Sequence, residues 1–223
     1  MAKNPATTKT RLLDTAERLF ASRGIEACSV REIVASARAN LGAITYHFGS
    51  KNDLARAVIQ RRLGPLHRER LRLLEEAESS AGPGGPTLES ILEAGIAPTI
   101  RLLREKPDFM KIVGELLTSP RRESLRPPEA EAILERFMAA IARAVPRVSK
   151  HELAWRMHFI RGAIIHTWTT MGPLGTSAHL GCAGDSPERI VERLVTFAAA
   201  GLRADPGERR LAAGRSVPAR RSR

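Results

Sequence analysis

The chain has 223 residues, 43% hydrophobic and 27% charged, an ordinary balance for a folded protein that excludes wholesale disorder and fibrous repeats. Thirty-six Lys and Arg against 24 Asp and Glu give a formal net charge of +12, which favours polyanionic partners such as nucleic acid or an anionic surface. Two cysteines, Cys28 and Cys182, with no CxxC, exclude a disulfide framework and a cysteine-based zinc site. There is no run of about eighteen apolar residues to span a membrane, and the polar start lacks the apolar stretch of a signal peptide. A cytoplasmic protein with no membrane partner is expected.

Aliphatic residues recur with a 3.6-residue period in helix-length stretches, which predicts an all-α protein. The first helix is expected over residues 8–23, with Leu12, Ala16, Leu19 and Phe20 on one face and Gly24 as its stop. Ser29-Val-Arg-Glu32 has capping-box form and starts a short second helix that carries Ile33 and Ala37 inward and ends before Asn40. Asn40 is suited to N-cap a third helix over 41–48, whose apolar face is Leu41, Ile44 and Phe48. Ser50-Lys-Asn-Asp53 starts a fourth helix, in which Gly64-Pro65 predicts a kink or short break before the pattern resumes at Leu66, Leu71 and Leu74.

The Gly/Pro-rich stretch 81–86 then leads into a second helical block, with helices expected over 87–105, 108–118, 128–144, 149–171 and 187–203. Ser149-x-x-Glu152 is another capping box, Ser186-Pro187 an N-cap followed by proline at the first helical position, and Pro98 a predicted kink. The loop over 172–185 holds four glycines and suits a mobile flap or a disordered connection. The basic surplus is uneven. Residues 1–80 carry fourteen Lys/Arg against nine acids, and residues 201–223 carry seven against two. The stretch 204–223 lacks apolar periodicity and reads as a basic disordered tail, either adding affinity for phosphate or solubilising the chain end.

Two short helices joined by a tight turn match the spacing with which a helix-turn-helix presents its second helix to the major groove, although plain structural corners share that geometry. The residues are more specific. The run from Leu12 to Gly24 (LLDTAERLFASRG), Ser29-Val-Arg-Glu-Ile33 and Asn40-Leu-Gly-Ala-Ile-Thr-Tyr-His-Phe-Gly-Ser-Lys51 together closely resemble the TetR-family signature over residues 8–66. The resemblance implies a flexible start at 1–7, a small three-helix DNA-binding domain at 8–66 with its helix-turn-helix at 29–48, and a helical ligand-binding and dimerisation domain at 67–203. It further implies a sequence-specific transcriptional repressor that binds a palindromic double-stranded DNA operator as a homodimer and is released by a small hydrophobic effector. One departure stands out: where the family's turn usually has Gly-Val, this chain has Arg38-Ala39. A left-handed conformation at Arg38 costs about 1 kcal/mol relative to glycine.

On this resemblance Tyr46, His47 and Lys51 are expected to contact phosphate and fix register, while Arg31 and Thr45 are best placed for base edges. Leu41, Gly42 and Ala43 offer backbone approach or contact with thymine methyls, and Asn40, at the helix start, completes the expected DNA-binding set. Blander roles are packing of Tyr46 on Phe20, solvated surface for His47 and Lys51, and an ion pair for Arg31.

In the second block, Phe159, Gly162, Ala163 and His166, then Ile190, Leu194, Phe197, Ala198, Gly201 and Leu202, fall at helical spacing, with small residues that permit close approach. The corresponding helices form a dimer interface in the family; the alternative is a face that completes the monomer's own core. Phe109, Met110, Phe137, Met138, Trp155, Phe159 and Trp168 are candidates to line a pocket between helices, or to fill the core. His151 and His158 lie about 10 Å apart along a helix, too far to share a metal with bonds of ~2 Å, so no metal is expected. No GxSxG, HExxH or phosphate-cradling glycine loop occurs, so neither an enzyme nor a cofactor is expected. The basicity by itself is also compatible with DNA binding without sequence choice, or with binding at a membrane surface.

Overall fold

In a computed structural model, which describes residues 5–118, 122–170 and 185–205, every regular element is an α-helix. In chain order these are α1 (Pro5–Arg23), α2 (Val30–Ser36), α3 (Gly42–His47), α4 (Lys51–Ser79), α5 (Leu88–Glu105), α6 (Pro107–Thr118), α7 (Arg122–Leu125), α8 (Ala130–Ala144), α9 (Lys150–Thr170) and α10 (Pro187–Arg203). The expected loop over 172–185 and the basic tail fall almost wholly outside the described residues, as does Cys182.

The helix starts follow local chemistry. α1 begins at Pro5, ahead of the expected residue 8, because proline's fixed φ suits a first helical turn. At its far end Gly24 takes φ 81 and its amide donates to the Phe20 carbonyl at 2.9 Å, a left-handed stop that a side chain would strain. The α2 capping box is complete: Ser29 Oγ accepts from the Glu32 amide at 3.2 Å, and the Ser29 amide donates to Glu32 Oε2 at 2.9 Å. The Ser149 box is only half formed, since Ser149 Oγ accepts the Glu152 amide at 3.2 Å but the Glu152 carboxylate turns to Arg156 Nε at 2.8 Å. A charged partner one turn further on wins it.

Two expectations are corrected. Asn40 does not cap α3 through its side chain. Leu41 already has helical φ and ψ, and it is the Asn40 carbonyl that accepts the Ala43 amide, at 3.1 Å. The break at Gly64-Pro65 does not occur: α4 runs unbroken through Pro65. Leu54, Ala55, Val58 and Ile59 pack into one core and Leu74 into another, so burial on both sides of the proline holds the helix continuous. α5 likewise continues through Pro98. In the turn before it, the Gly95 carbonyl accepts Arg70 Nε at 2.9 Å and the Thr99 hydroxyl at 3.2 Å, partners that stabilise a turn proline would otherwise weaken.

The buried residues form two clusters. One joins Leu12, Ala16 and Phe20 of α1 with Ile33 and Val34 of α2, Ile44 of α3 and the first half of α4. Phe109, Met110, Ile112, Val113 and Leu116 of α6 complete it, although they come from the second block. The other cluster unites the later part of α4 with α5, α8, α9 and α10. α4 and α6 therefore belong structurally to both halves.

Candidate functional site

The exposed face of the helix-turn-helix is built by the turn and by α3's own burial pattern. Ala43 and Ile44 point into the core, which turns Leu41, Gly42, Thr45 and Tyr46 outward. Tyr46 is 79% exposed, so it does not pack on Phe20; its ring meets His47 edge-on at 4.9 Å between centroids. A large aromatic thus stands in solvent on a six-residue helix. The turn ahead of it takes the left-handed form at a non-glycine residue, with φ 50 at Arg38. Arg31 and Asn40 are exposed beside this face, and His47 is half-buried. Arg31 is not drawn into the nearest ion pair, which Glu32 makes with Arg23 at 2.9 Å.

Lys51 is half-buried and donates from Nζ to the Glu26 carbonyl at 3.1 Å. That bond ties the start of α4 to the α1–α2 loop and uses one of the three ammonium donors. Ala43, also in the expected DNA-binding set, is buried and faces the core rather than solvent. Lys9, not singled out from the sequence, sits over the Phe48 ring at 5.8 Å; its contact crosses from α1 to the end of α3, so no local pattern could reveal it. The platform is braced from behind. Arg61 pairs with Asp14 at 2.7 Å and with Glu17, and Arg62 with Glu17 at 3.0 Å, linking α4 to α1.

A second surface lies on α9 and α10. Trp155, Phe159, Gly162 and His166 follow one another at i, i+4, i+7 and i+11 along α9, and all four are exposed. Phe159 is 64% exposed, and on α10 Phe197, at 60%, and Gly201 are exposed too. Ala163, Ile190 and Leu194 are half-buried at its margin, whereas Ala198 and Leu202 are buried in the chain's own core.

Between α4, α5, α6, α8 and α9 lies a cavity of about 310 Å3, a size at the lower end for small-molecule sites. Its wall is aliphatic, with Leu63, Leu66, Ile91, Leu92, Ile96, Val113, Leu116, Ile133, Leu134, Ile160 and Ile164 among the lining residues. Of the aromatic and methionine candidates only Phe137 lines it. Phe109 and Met110 are buried in the amino-terminal core, Met138 packs in the second core, Trp155 and Phe159 face outward, and the Trp168 side chain lies outside the described residues.

Four polar residues that the sequence reading missed also line the cavity: His67, Arg70, Arg126 and Arg161. Their signal was present as basic residues set on otherwise apolar helix faces, such as Leu66-His67 and Arg70 on α4. Arg70 is held by α5, donating from Nε to the Gly95 carbonyl at 2.9 Å and from Nη2 to the Thr99 hydroxyl. Burial pushes its pKa down to about 10. His67 is 7% exposed, and its Nδ1 makes no hydrogen bond, lying 3.6 Å from Glu129 Oε1. Burial, and then the Arg70 charge, hold the imidazole below its ordinary pKa. Glu129 in turn accepts from Gln60 Nε2 at 2.7 Å, so one carboxylate on the approach to α8 touches α4 at two points.

Among the described residues there is no cluster of metal-ligating side chains and no helix long and apolar enough to cross a membrane. Comparison with curated proteins gives no match. Two family profiles match: "Bacterial regulatory proteins, tetR family" over residues 12–58, and "Tetracyclin repressor-like, C-terminal domain" over residues 93–201. Solved structures share the fold. A TetR-like transcriptional regulator from Rhodococcus sp. RHA1 is 17% identical with a TM-score of 0.60, covering 92% of this chain and 100% of its own. The fatty acid degradation regulator FadR from Bacillus halodurans is 15% identical with a TM-score of 0.61, with the same coverage. FadR from Bacillus subtilis, solved in complex with stearoyl-CoA, is 17% identical with a TM-score of 0.61, covering 86% of this chain and 98% of its own. With one family profile on the helix-turn-helix and a second on the helices that follow, the chain belongs to the TetR family of DNA-binding transcriptional regulators.

Proposed function

We propose that the chain is a repressor that binds a palindromic operator as a homodimer and is released when a small hydrophobic effector enters the cavity between α4, α5, α6, α8 and α9. The observation that carries this reading is that two helices serve both ends. α4 contributes Leu54, Val58 and Ile59 to the core beneath the recognition helix and Leu63, Leu66, His67 and Arg70 to the cavity wall. α6 contributes Phe109 and Ile112 to that same core, and its Val113 and Leu116 reach the cavity. A ligand that shifts either helix changes the seat of α3, which is the differential contact a coupling free energy needs.

On the DNA side, Tyr46 and Lys51 position the helix on phosphates, and Arg31 and Thr45 reach base edges. With Leu41, Gly42 and Asn40 beside them, much of the sequence choice rests on close approach and apolar contact. The exposed Trp155, Phe159 and Phe197 on α9 and α10 supply an aromatic face for a second copy, flanked by glycines that let helices approach. A two-fold dimer of this kind reads two half-sites about one helical turn apart.

The test is selection of DNA by the purified protein from a random pool at fixed salt, followed by sequencing. An inverted repeat with half-sites about 10 bp apart centre to centre is expected. Recovery of DNA without a shared motif would overturn the sequence-specific reading. In parallel, Phe159→Asp combined with Phe197→Asp is expected to give monomers in analytical ultracentrifugation, and an unchanged mass would overturn the assigned dimer face.

A further inference from the structure

Resting on the reading of the cavity as an effector site, the charge of its wall goes further than its apolarity. Three arginines and a histidine line it, and among the described residues no acidic side chain does. Glu129 stands behind His67 rather than on the wall, and Arg126 lies 4.0 Å from Glu131. Arg70 is the informative member. Its partners on α5 are a carbonyl and a hydroxyl, both uncharged, and its Nη1 bonds to no described residue. A half-buried cation whose fixed partners are neutral leaves its charge uncompensated, and an opposite charge that joins it offsets the cost of its partial desolvation. A carboxylate meets a guanidinium through paired, charge-assisted hydrogen bonds, and the aliphatic wall accommodates a chain or ring behind it.

We infer that the effector is an anionic amphiphile, a carboxylic acid on an apolar body, whose head group is received at Arg70 beside His67 while its body lies against Leu66, Ile133 and Phe137. Arg70 gives the ligand a fixed orientation, since α5 holds the guanidinium through Gly95 and Thr99. His67 adjoins the head group from the same face of α4, one helical turn away. The ligand thus touches α4 at the point where the helix leaves the DNA-binding core.

The test is calorimetric titration of the full-length protein with decanoate and with decan-1-ol, matched in chain length and different in charge. Decanoate is expected to bind at least tenfold more tightly. Arg70→Met is expected to bring decanoate to within threefold of decan-1-ol while leaving decan-1-ol unchanged, which also shows that the variant is folded; Arg70→Lys is expected to keep part of the preference. Equal affinities in the unmodified protein, or a preference that survives Arg70→Met, would overturn the carboxylate assignment while leaving the cavity as an apolar site. Ile133→Trp fills the cavity. If both ligands bind that variant as before, the cavity itself is not where they bind, and the underlying reading fails.

Discussion

Replacing Phe109 by alanine tests whether α6 is part of the DNA-binding unit. The ring is 1% exposed and packs with Ile112 and Met110 against the cluster that holds Leu12, Phe20 and Ile44. Removing a buried phenylalanine costs about 3–5 kcal/mol, the lost transfer energy plus the cavity left behind. For a chain of this length each kcal/mol moves Tm by about 2–4 °C, so a fall of roughly 6–20 °C is expected in thermal unfolding. Hydrogen exchange locates the effect. Amides of α1, α2 and α3 are expected to lose protection, and DNA affinity to fall with them, while decan-1-ol binding in the cavity persists below the new transition. Undiminished protection in α1–α3, with ligand affinity reduced instead, would show that Phe109 serves the cavity and that the shared-core account of α6 is wrong.

Other outcomes follow from single features. Arg38→Gly relieves the left-handed strain at φ 50 but gains unfolded-state entropy, so its urea midpoint is expected to stay close to or slightly above the original, whereas Arg38→Val is expected to be at least 1 kcal/mol less stable. Equal stability of the two variants would show that the turn relaxes out of that conformation. Tyr46→Ala and Lys51→Ala are expected to weaken binding to all DNA sequences, and Lys51→Ala to reduce the salt slope by about one unit; unchanged affinity in both would refute this docking face. His67 has a folded pKa below its unfolded value near 6.5, so the unfolded state binds more protons and stability falls as pH drops through the window below 6.5. His67→Leu is expected to lose less stability than the original protein between pH 7.5 and pH 5.5 in urea unfolding, and an equal loss would refute the burial of a neutral imidazole.

The helical class, most helix bounds and the position of the recognition helix were legible in the residues because they rest on local rules: a 3.6-residue period, Ser and Thr caps, and glycine where φ turns positive. Ser29-Glu32 and Gly24 act within a few residues of themselves, so the chain alone specifies them. Arg38 was legible for the same reason, since a tight turn dictates its φ whatever surrounds it. What depended on distant partners was not. Gly64-Pro65 read locally as a kink or short break, yet burial on both sides keeps α4 continuous through Pro65.

The same division separates the two candidate sites. The Asn40–Lys51 segment shows its outward face because a short helix with two core residues leaves the others exposed. The cavity assembles side chains from five helices spread over about a hundred residues, and apolar periodicity cannot tell a core position from a pocket wall. Phe109 and Trp155 illustrate it: both are aromatic residues on helices, and only packing sends one into the amino-terminal core and the other to solvent. Sequence by itself determined that this is a helical regulator whose family signature includes the short helix near residue 45. Tertiary structure alone decided that α6 props up that helix and that Arg70 stands half-buried in a cavity wall whose described residues include no acid, because burial and charge compensation are properties of neighbours far apart in the chain.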